Sequence, residues 1–292
     1  MRKGFLILHL AAFASLAACK ASGTPPTTTT TPPASTAAAD SASAQASASA
    51  PATATATAPA TASATATSSG PAQKTDTIVT AAGPLDITPI HHATLLFQFG
   101  GKNIYLDPAA DAGLDGLPKA DYVFVTDIHP DHLDPASIDK IKGATTIVVG
   151  PPAVDEKRKV DVVLKNGDKH DFGAFSVEAV PMYNLVRGPS AGKLFHDKGR
   201  GDGFVFTFGG KRVYVSGDTE CVPEMKALPS IDVAFVCMNL PYTMPPTEAA
   251  ACVKAFRPKV VFPYHHRDSN LDDFTNALKG EQGIDVRIRR WY

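Results

Sequence analysis

Tyr122-Val123-Phe124-Val125-Thr126-Asp127-Ile128-His129-Pro130-Asp131-His132-Leu133-Asp134 runs from an apolar, β-branched segment straight into a loop with four candidate ligands, Asp127, His129, Asp131 and His132. The first five residues read as a strand. A rigid strand end presents several side chains to one point with little freedom. Imidazole and carboxylate are the groups that hold zinc at about 2.0–2.2 Å. A metal-binding loop is therefore expected at the end of this strand.

Working outward, the segment before the loop is echoed later in the chain. Phe97-Gln98-Phe99-Gly100-Gly101-Lys102-Asn103-Ile104-Tyr105-Leu106-Asp107 matches Phe206-Thr207-Phe208-Gly209-Gly210-Lys211-Arg212-Val213-Tyr214-Val215-Ser216. Gly-Gly between alternating apolar runs signals a hairpin, because a two-residue primed turn needs positive φ. A second strand follows each hairpin, at Asp121–Thr126 and Asp232–Cys237, then a helix and a further strand at Thr145–Val149 and Lys259–Tyr264. Three elements in the same order at near-constant offset imply a duplicated half-domain. Further strands are expected at Leu85–Ile90, Phe175–Val180 and Ile284–Ile288, and helices at Pro135–Ile141, Pro223–Leu228, Pro246–Phe256 and Leu271–Leu278. Residues 76–292 thus form one α/β domain, two sheets face to face with helices outside.

Other polar residues sit where this plan can use them. Asp218 follows the second hairpin strand in Ser216-Gly217-Asp218-Thr219, where the glycine allows close backbone approach. His265 ends the last apolar strand but one, and His266 points the opposite way by alternation. His196 lies in a Gly-rich, charged loop containing Arg187, Lys193, Lys198 and Arg200. It reads either as a proton donor or contact to an anionic substrate, or as a solvated loop residue. His92 and Asp107 are expected behind the ligands as orienting partners, and His170 in a turn. Of the cysteines after residue 20, Cys237 and Cys252 read as small core residues; Cys221, three positions after Asp218, is the one near a candidate ligand. No GxSxG or GxxxxGK[ST] segment is present, so acyl-serine and nucleotide-hydrolase readings lack support.

The loop at Thr126–His132 resembles the THxHxDH loop of metallo-β-lactamase-fold hydrolases. Ile90-His91-His92-Ala93-Thr94 resembles their GHAT-type entry, Leu106-Asp107-Pro108 the DP after the first hairpin, Ser216–Thr219 the GDT segment, and Pro263-Tyr264-His265 the late strand-end histidine. Together these run through nearly all of residues 85–292. The subgroup is similar to the broad bacterial set that includes L-ascorbate-6-phosphate lactonase and, more distantly, N-acyl-phosphatidylethanolamine-hydrolysing phospholipase D. The resemblance implies a four-layer αββα sandwich of two facing mixed sheets. It also implies metal ligation by His129, Asp131, His132, Asp218 and His265, with Asp218 bridging two ions. Two positions depart from the pattern. Asp127 stands for its first histidine, and Asn184, in Val180-Pro181-Met182-Tyr183-Asn184, for its middle one. Family likeness suggests one or two divalent ions, zinc first; oxygen ligands at 127 and 184 move preference towards manganese or iron. The implied activity is attack of a metal-activated water, oriented by Asp131, on an ester, lactone, amide or phosphodiester of a small molecule. The alternatives are a non-catalytic metal- or ligand-binding lipoprotein that keeps the fold and, more weakly, a purely structural envelope tether.

At the N-terminus, Arg2 and Lys3 precede an apolar run from Phe5 to Ala18, ending in Leu16-Ala17-Ala18-Cys19. This reads as a secretory leader and resembles a bacterial lipobox. It implies an acylated Cys19 anchoring the chain to a bilayer in the cell envelope. Between Lys20 and Lys74 the only charged residue is Asp40, and no leucine, isoleucine, valine, methionine or aromatic residue occurs. Residues 19–75 are therefore expected to be a disordered tether with a reach of roughly 40 Å. The formal charge of -1 gives no basis for nucleic-acid binding. The sequence carries no reading of oligomeric state.

Overall fold

Gly100, Gly101, Gly209 and Gly210 have φ of 57°, 73°, 49° and 83°, so both Gly-Gly pairs make the turns read from the sequence. The computed structural model describes residues 74–292. The leader, Cys19 and all of the tether except Lys74 and Thr75 lie outside the described residues.

One sheet holds β1 (Asp76–Thr80), β2 (Gly83–His91), β3 (Thr94–Phe99), β4 (Lys102–Leu106), β5 (Ala120–Phe124), β6 (Lys142–Gly150) and β7 (Val162–Val163). The other holds β8 (Lys169–Asp171), β9 (Ser176–Met182), β10 (Gly201–Phe208), β11 (Lys211–Val215), β12 (Val233–Cys237), β13 (Val260–Tyr264) and β14 (Asp285–Val286). In both sheets the spatial order follows the chain. In each, the first four strands pair antiparallel and the rest continue parallel. The duplication seen in sequence is thus a duplication of topology.

Strand alternation sorts the side chains into layers. Phe97, Phe99, Ile104, Leu106 and Phe124 of the first sheet meet Phe204, Phe206, Phe208 and Phe235 of the second in one core. Phe97 packs edge-on to Phe206 at 5.7 Å, and Phe124 to Phe204 and Phe206 at 5.4 and 4.9 Å, geometries that add to simple area burial. The opposite face of the first sheet, through Leu96, Tyr105, Val123 and Val125, is covered by α1 (Pro135–Ile141) and α2 (Pro152–Lys157). The second sheet is covered by α3 (Pro223–Lys226), α4 (Pro246–Phe256) and α5 (Leu271–Ala277). The Asp134 carboxylate accepts from Ser137 N at 3.0 Å and Pro135 opens α1, so the candidate loop ends in a helix cap.

Some local expectations are corrected. Helix α2 and strands β1, β7 and β8 were not expected; most are too short to display a hydrophobic period. His170 lies on exposed β8 and not in a turn. Cys252 is not merely a packed residue: it forms a disulfide with Cys221, Cα–Cα 5.6 Å, tying the segment after Asp218 to α4. Cys237 is buried and free in β12, as expected. No helix among the described residues is long and apolar enough to cross a membrane.

Candidate metal centre

The site lies where the carboxyl ends of β4, β5, β11 and β13 converge. Each strand hands over to a polar residue or loop: Asp107, Thr126–Asp134, Ser216–Asp218 and His265. Among the described residues, four of the six non-glycine residues with positive φ are here, namely His92 (53°), Asp107 (44°), His265 (47°) and Arg267 (43°). Such strain costs about 1–3 kcal/mol per residue and persists only where the surroundings over-determine it. Gly217, φ 59°, lets the Asp218 segment press against the loop. A Cβ there would collide with the Met182 side chain and come within 3.2 Å of Thr126 Cβ.

The first group of ligand-type atoms is His132, Asp218 and His265, all buried; His265 also groups with Asp131 and His92. His132 Nε2 lies 3.4 Å from Asp218 Oδ2, and His265 Nδ1 lies 3.4 Å from Asp218 Oδ1. Asp131 Oδ2 is 3.4 Å from His265 Nε2. Behind them, Asp107 accepts from Thr126 N at 2.8 Å and Thr126 Oγ1 at 2.7 Å, and its Oδ2 lies 2.8 Å from His132 Nδ1. A proton on His132 Nδ1 leaves the Nε2 lone pair facing Asp218, the arrangement that orients a metal-binding imidazole.

The second group is Asp127, His129 and His196. His196 Nε2 lies 3.3 Å from Asp218 Oδ2 and 3.8 Å from Asp127 Oδ2, so Asp218 faces both groups. His196, left open in the sequence as donor or loop residue, is 1 % exposed at the centre of the site. Asn184 is not gathered with the ligand atoms, and the expectation that it joins them is corrected. Its Oδ1 accepts from His196 N at 2.9 Å and faces His196 Nδ1 at 2.6 Å. Its Nδ2 donates to Glu220 Oε1 and to the Tyr242 carbonyl at 3.1 and 2.8 Å. Both ends of the carboxamide are thus occupied, and the middle imidazole is supplied twelve residues further on.

Asp127 does face the site, but with a partner the sequence did not reveal. Arg200 grips it in a fork, Nε to Oδ1 at 3.0 Å and Nη2 to Oδ2 at 2.9 Å, while His129 Nδ1 lies 2.8 Å from Oδ2. Burial alone would raise the Asp127 pKa, but the His129 hydrogen bond and the Arg200 charge bring it down to about 2. The available signal was indirect: a carboxylate buried where an imidazole is usual demands a cation, and Arg200 had been noted only as loop charge. Glu220 and Tyr292 were also missed. Glu220 accepts the backbone N–H groups of Leu185, Val186 and Arg187 at 3.1, 3.2 and 2.8 Å. The Tyr292 hydroxyl lies 2.7 Å from His92 Nδ1 and accepts from Arg267 N at 2.8 Å.

His92 is held between Tyr292 and Asp131 Oδ2, the latter at 3.0 Å from its Nε2. Burial pushes the His92 pKa down to about 4, so the neutral ring donates to Asp131 and accepts from Tyr292. Burial also opposes ionisation of Asp218, yet the adjacent His265 and His132 hold its carboxyl well below the usual range. The donor set fits a divalent cation. His132 Nε2, His196 Nε2, His265 Nδ1 and Nε2, and Asp218 Oδ1 are buried with no hydrogen-bond partner. Buried polar atoms are normally satisfied, and an ion among these would satisfy most of them together.

Comparison with known proteins agrees. Residues 86–265 match the β-lactamase superfamily domain. A UPF0173 metal-dependent hydrolase of Symbiobacterium thermophilum is 34% identical over 221 residues, covering 70% of this chain and 92% of its own. A crystal structure from Parabacteroides distasonis, named a presumed metal-dependent hydrolase, is 39% identical, with TM-score 0.71 over 74% of this chain and 98% of that one. CmlA, a diiron β-hydroxylase from Streptomyces venezuelae, shares the fold at 16% identity and TM-score 0.53, over 76% of this chain and 54% of that one. By its duplicated sandwich, its converging His/Asp clusters and these relatives, the chain belongs to the metallo-β-lactamase superfamily and is a metal-dependent hydrolase similar to the UPF0173 proteins.

Proposed function

We propose that the protein hydrolyses an ester, lactone, amide or phosphodiester with one tightly held divalent ion. His132, Asp218, His265 and Asp131 hold that ion, and a second binds more weakly at Asp127, His129 and His196. The observation that carries this reading is the convergence of unpartnered buried atoms from His132, His196, His265 and Asp218. An ion held there supplies Lewis-acid polarisation and lowers the pKa of a bound water towards about 7. Asp131, whose side chain is 31% exposed, would orient the attacking water. His92 holds Asp131 in place, and Asn184 fixes the ring of His196. The weaker second ion follows from Arg200, whose positive charge already neutralises Asp127. With an oxygen ligand in this half, manganese and iron compete with zinc better than at an all-imidazole site.

Generic ester, lactone and phosphodiester substrates with added Zn²⁺, Mn²⁺ or Fe²⁺ test the activity, with His132→Ala as control. Turnover that survives His132→Ala overturns the assignment of this site. No turnover with any ion favours a binding protein that keeps the fold, in which the Asp127–Arg200 pair closes half the site. Metal analysis of protein prepared without chelators tests the stoichiometry, and two tight equivalents of zinc refute the one-strong, one-weak arrangement.

We also propose that the domain works in the bacterial cell envelope, anchored by acylated Cys19. The leader-like start supports this, as does the Cys221–Cys252 pair, since disulfides persist mainly in oxidising compartments. Metabolic labelling with a fatty acid should mark the protein, and label retained in Cys19→Ser would exclude the anchor.

A further inference from the structure

We infer that the site takes an amphiphilic anion, with an apolar acyl or aryl arm against the apolar lip of the cleft and its charged group on Arg267; this rests on the hydrolase reading. The cleft over the ligand atoms has a volume of about 370 Å³ and is lined by Phe195, Tyr242 and Arg267 together with the ligand residues. Phe195 also lines a groove of about 330 Å³ with Val186 and Leu240, so it borders both. Among the described residues, half of the exposed large apolar side chains stand on the two loops flanking this opening: Leu185, Val186, Leu240 and Tyr242. Val186 is 78% exposed. Scattered exposed apolar residues need no explanation, but a concentration beside a reactive site marks a binding surface.

The apolar lip is built, not loose. The amides of Leu185, Val186 and Arg187 all donate to the buried Glu220 carboxylate, two residues from Asp218. The segment carrying the bridging carboxylate therefore also holds Leu185 and Val186 outward. Phe195 and Tyr242 support each other edge to face at 5.0 Å. Arg267 is held at positive φ, and Tyr292 accepts from its backbone N–H. Its guanidinium makes no hydrogen bond among the described residues. Its one ionic neighbour is Asp131 at 3.7 Å, a carboxylate directed at the ion site. A half-exposed cation with a single long ionic contact and an apolar lip, both bordering the cleft over the ligand atoms, match a molecule that carries an apolar arm and an anionic group near the scissile bond. Hydrolysis then adds one water across that bond, giving an acid, an alcohol or amine, and any released proton to solvent; no other reactant is needed.

Binding separates this assignment from activity. Calorimetric titration of the zinc-loaded protein should compare octanoylglycine, acetylglycine and N-octanoylethanolamine, which carry both features, the anion alone and the apolar arm alone. Burying as few as two methylenes corresponds to about a tenfold change in Kd, so octanoylglycine should bind at least tenfold more tightly than acetylglycine, and it should also bind more tightly than N-octanoylethanolamine, which lacks the anion. Val186→Ser with Leu240→Ser should reduce octanoylglycine to the acetylglycine level and leave acetylglycine unchanged. Arg267→Gln should erase its advantage over the neutral amide. Equal affinity for the long and short acids, or an advantage untouched by these substitutions in protein of unchanged melting temperature, overturns the proposal. If the binding order holds but no octanoyl ester, lactone or amide and no phosphodiester turns over with any ion, the subsite assignment stands and the hydrolase reading fails.

Discussion

Replacing Asn184 by histidine separates two roles for that position. If Asn184 were a poor substitute for a ligand, Asn184→His would restore an imidazole and tighten the second ion. The structure requires the reverse. Asn184 Oδ1 faces both the backbone N–H and Nδ1 of His196, at 2.9 and 2.6 Å, inside a region where Asn184 and His196 are each 1% exposed. An imidazole at 184 cannot supply that doubly accepting oxygen or donate to both Glu220 and the Tyr242 carbonyl. Leaving a buried donor unsatisfied costs about 1–3 kcal/mol, and loss of a ligand's orienting partner lowers metal affinity about 10–100-fold. Asn184→His should therefore weaken the ion at Asp127, His129 and His196 by one to two powers of ten and leave the His132–Asp218–His265 ion nearly unchanged. Titration with Co²⁺, followed by its visible absorption, reads the two affinities in one experiment. A second ion bound more tightly in Asn184→His than in the natural protein refutes the positioning role of Asn184.

Arg200→Gln should do the opposite. It removes a cation bonded to Asp127, so the second ion should bind at least tenfold more tightly (~1.4 kcal/mol), and zinc should raise the melting temperature more than in the natural protein. Cys252→Ser should lower stability by about 3–4 kcal/mol, the chain-entropy value for a disulfide spanning 31 residues; urea unfolding under non-reducing conditions measures it. Asp202 is 1% exposed, and burial raises its pKa to about 7 even though Asn166 hydrogen-bonds to it. Between the ordinary carboxyl value and 7 the folded chain holds one more proton than the unfolded chain, so this group's contribution to stability falls as pH rises through that window and levels off above it. Asp202→Asn should flatten that slope and stabilise the domain at pH 8 by at most about 4 kcal/mol; denaturant midpoints at pH 5 and 8 that shift equally in both proteins would exclude it.

The elements that repeat were legible in the sequence because they rest on local chemistry. Gly100-Gly101 and Gly209-Gly210 declare their turns through positive φ, and β3, β4, β10 and β11 are apolar, aromatic-rich runs of strand length. The loop at Thr126–Asp134 and the segment at Ser216–Thr219 could be read because each packs its donors into a few consecutive residues after a strand. Strand ends that pair at matching registers in the two halves then bring Asp218 and His265 to His132. The elements that stayed hidden are those whose partners are set by loops. His196 and Asn184 exchange roles within a non-periodic stretch, where spacing does not say which side chain turns inward. Arg200 meets Asp127 across 73 positions and Cys252 meets Cys221 across 31. Sequence alone therefore determined that this chain is a duplicated sandwich with a metal-binding loop. Only the tertiary structure decided which imidazole completes the second half of the site and which cation occupies its carboxylate, because a buried charge or donor takes the partner that folding brings within about 3 Å, not the one nearest along the chain.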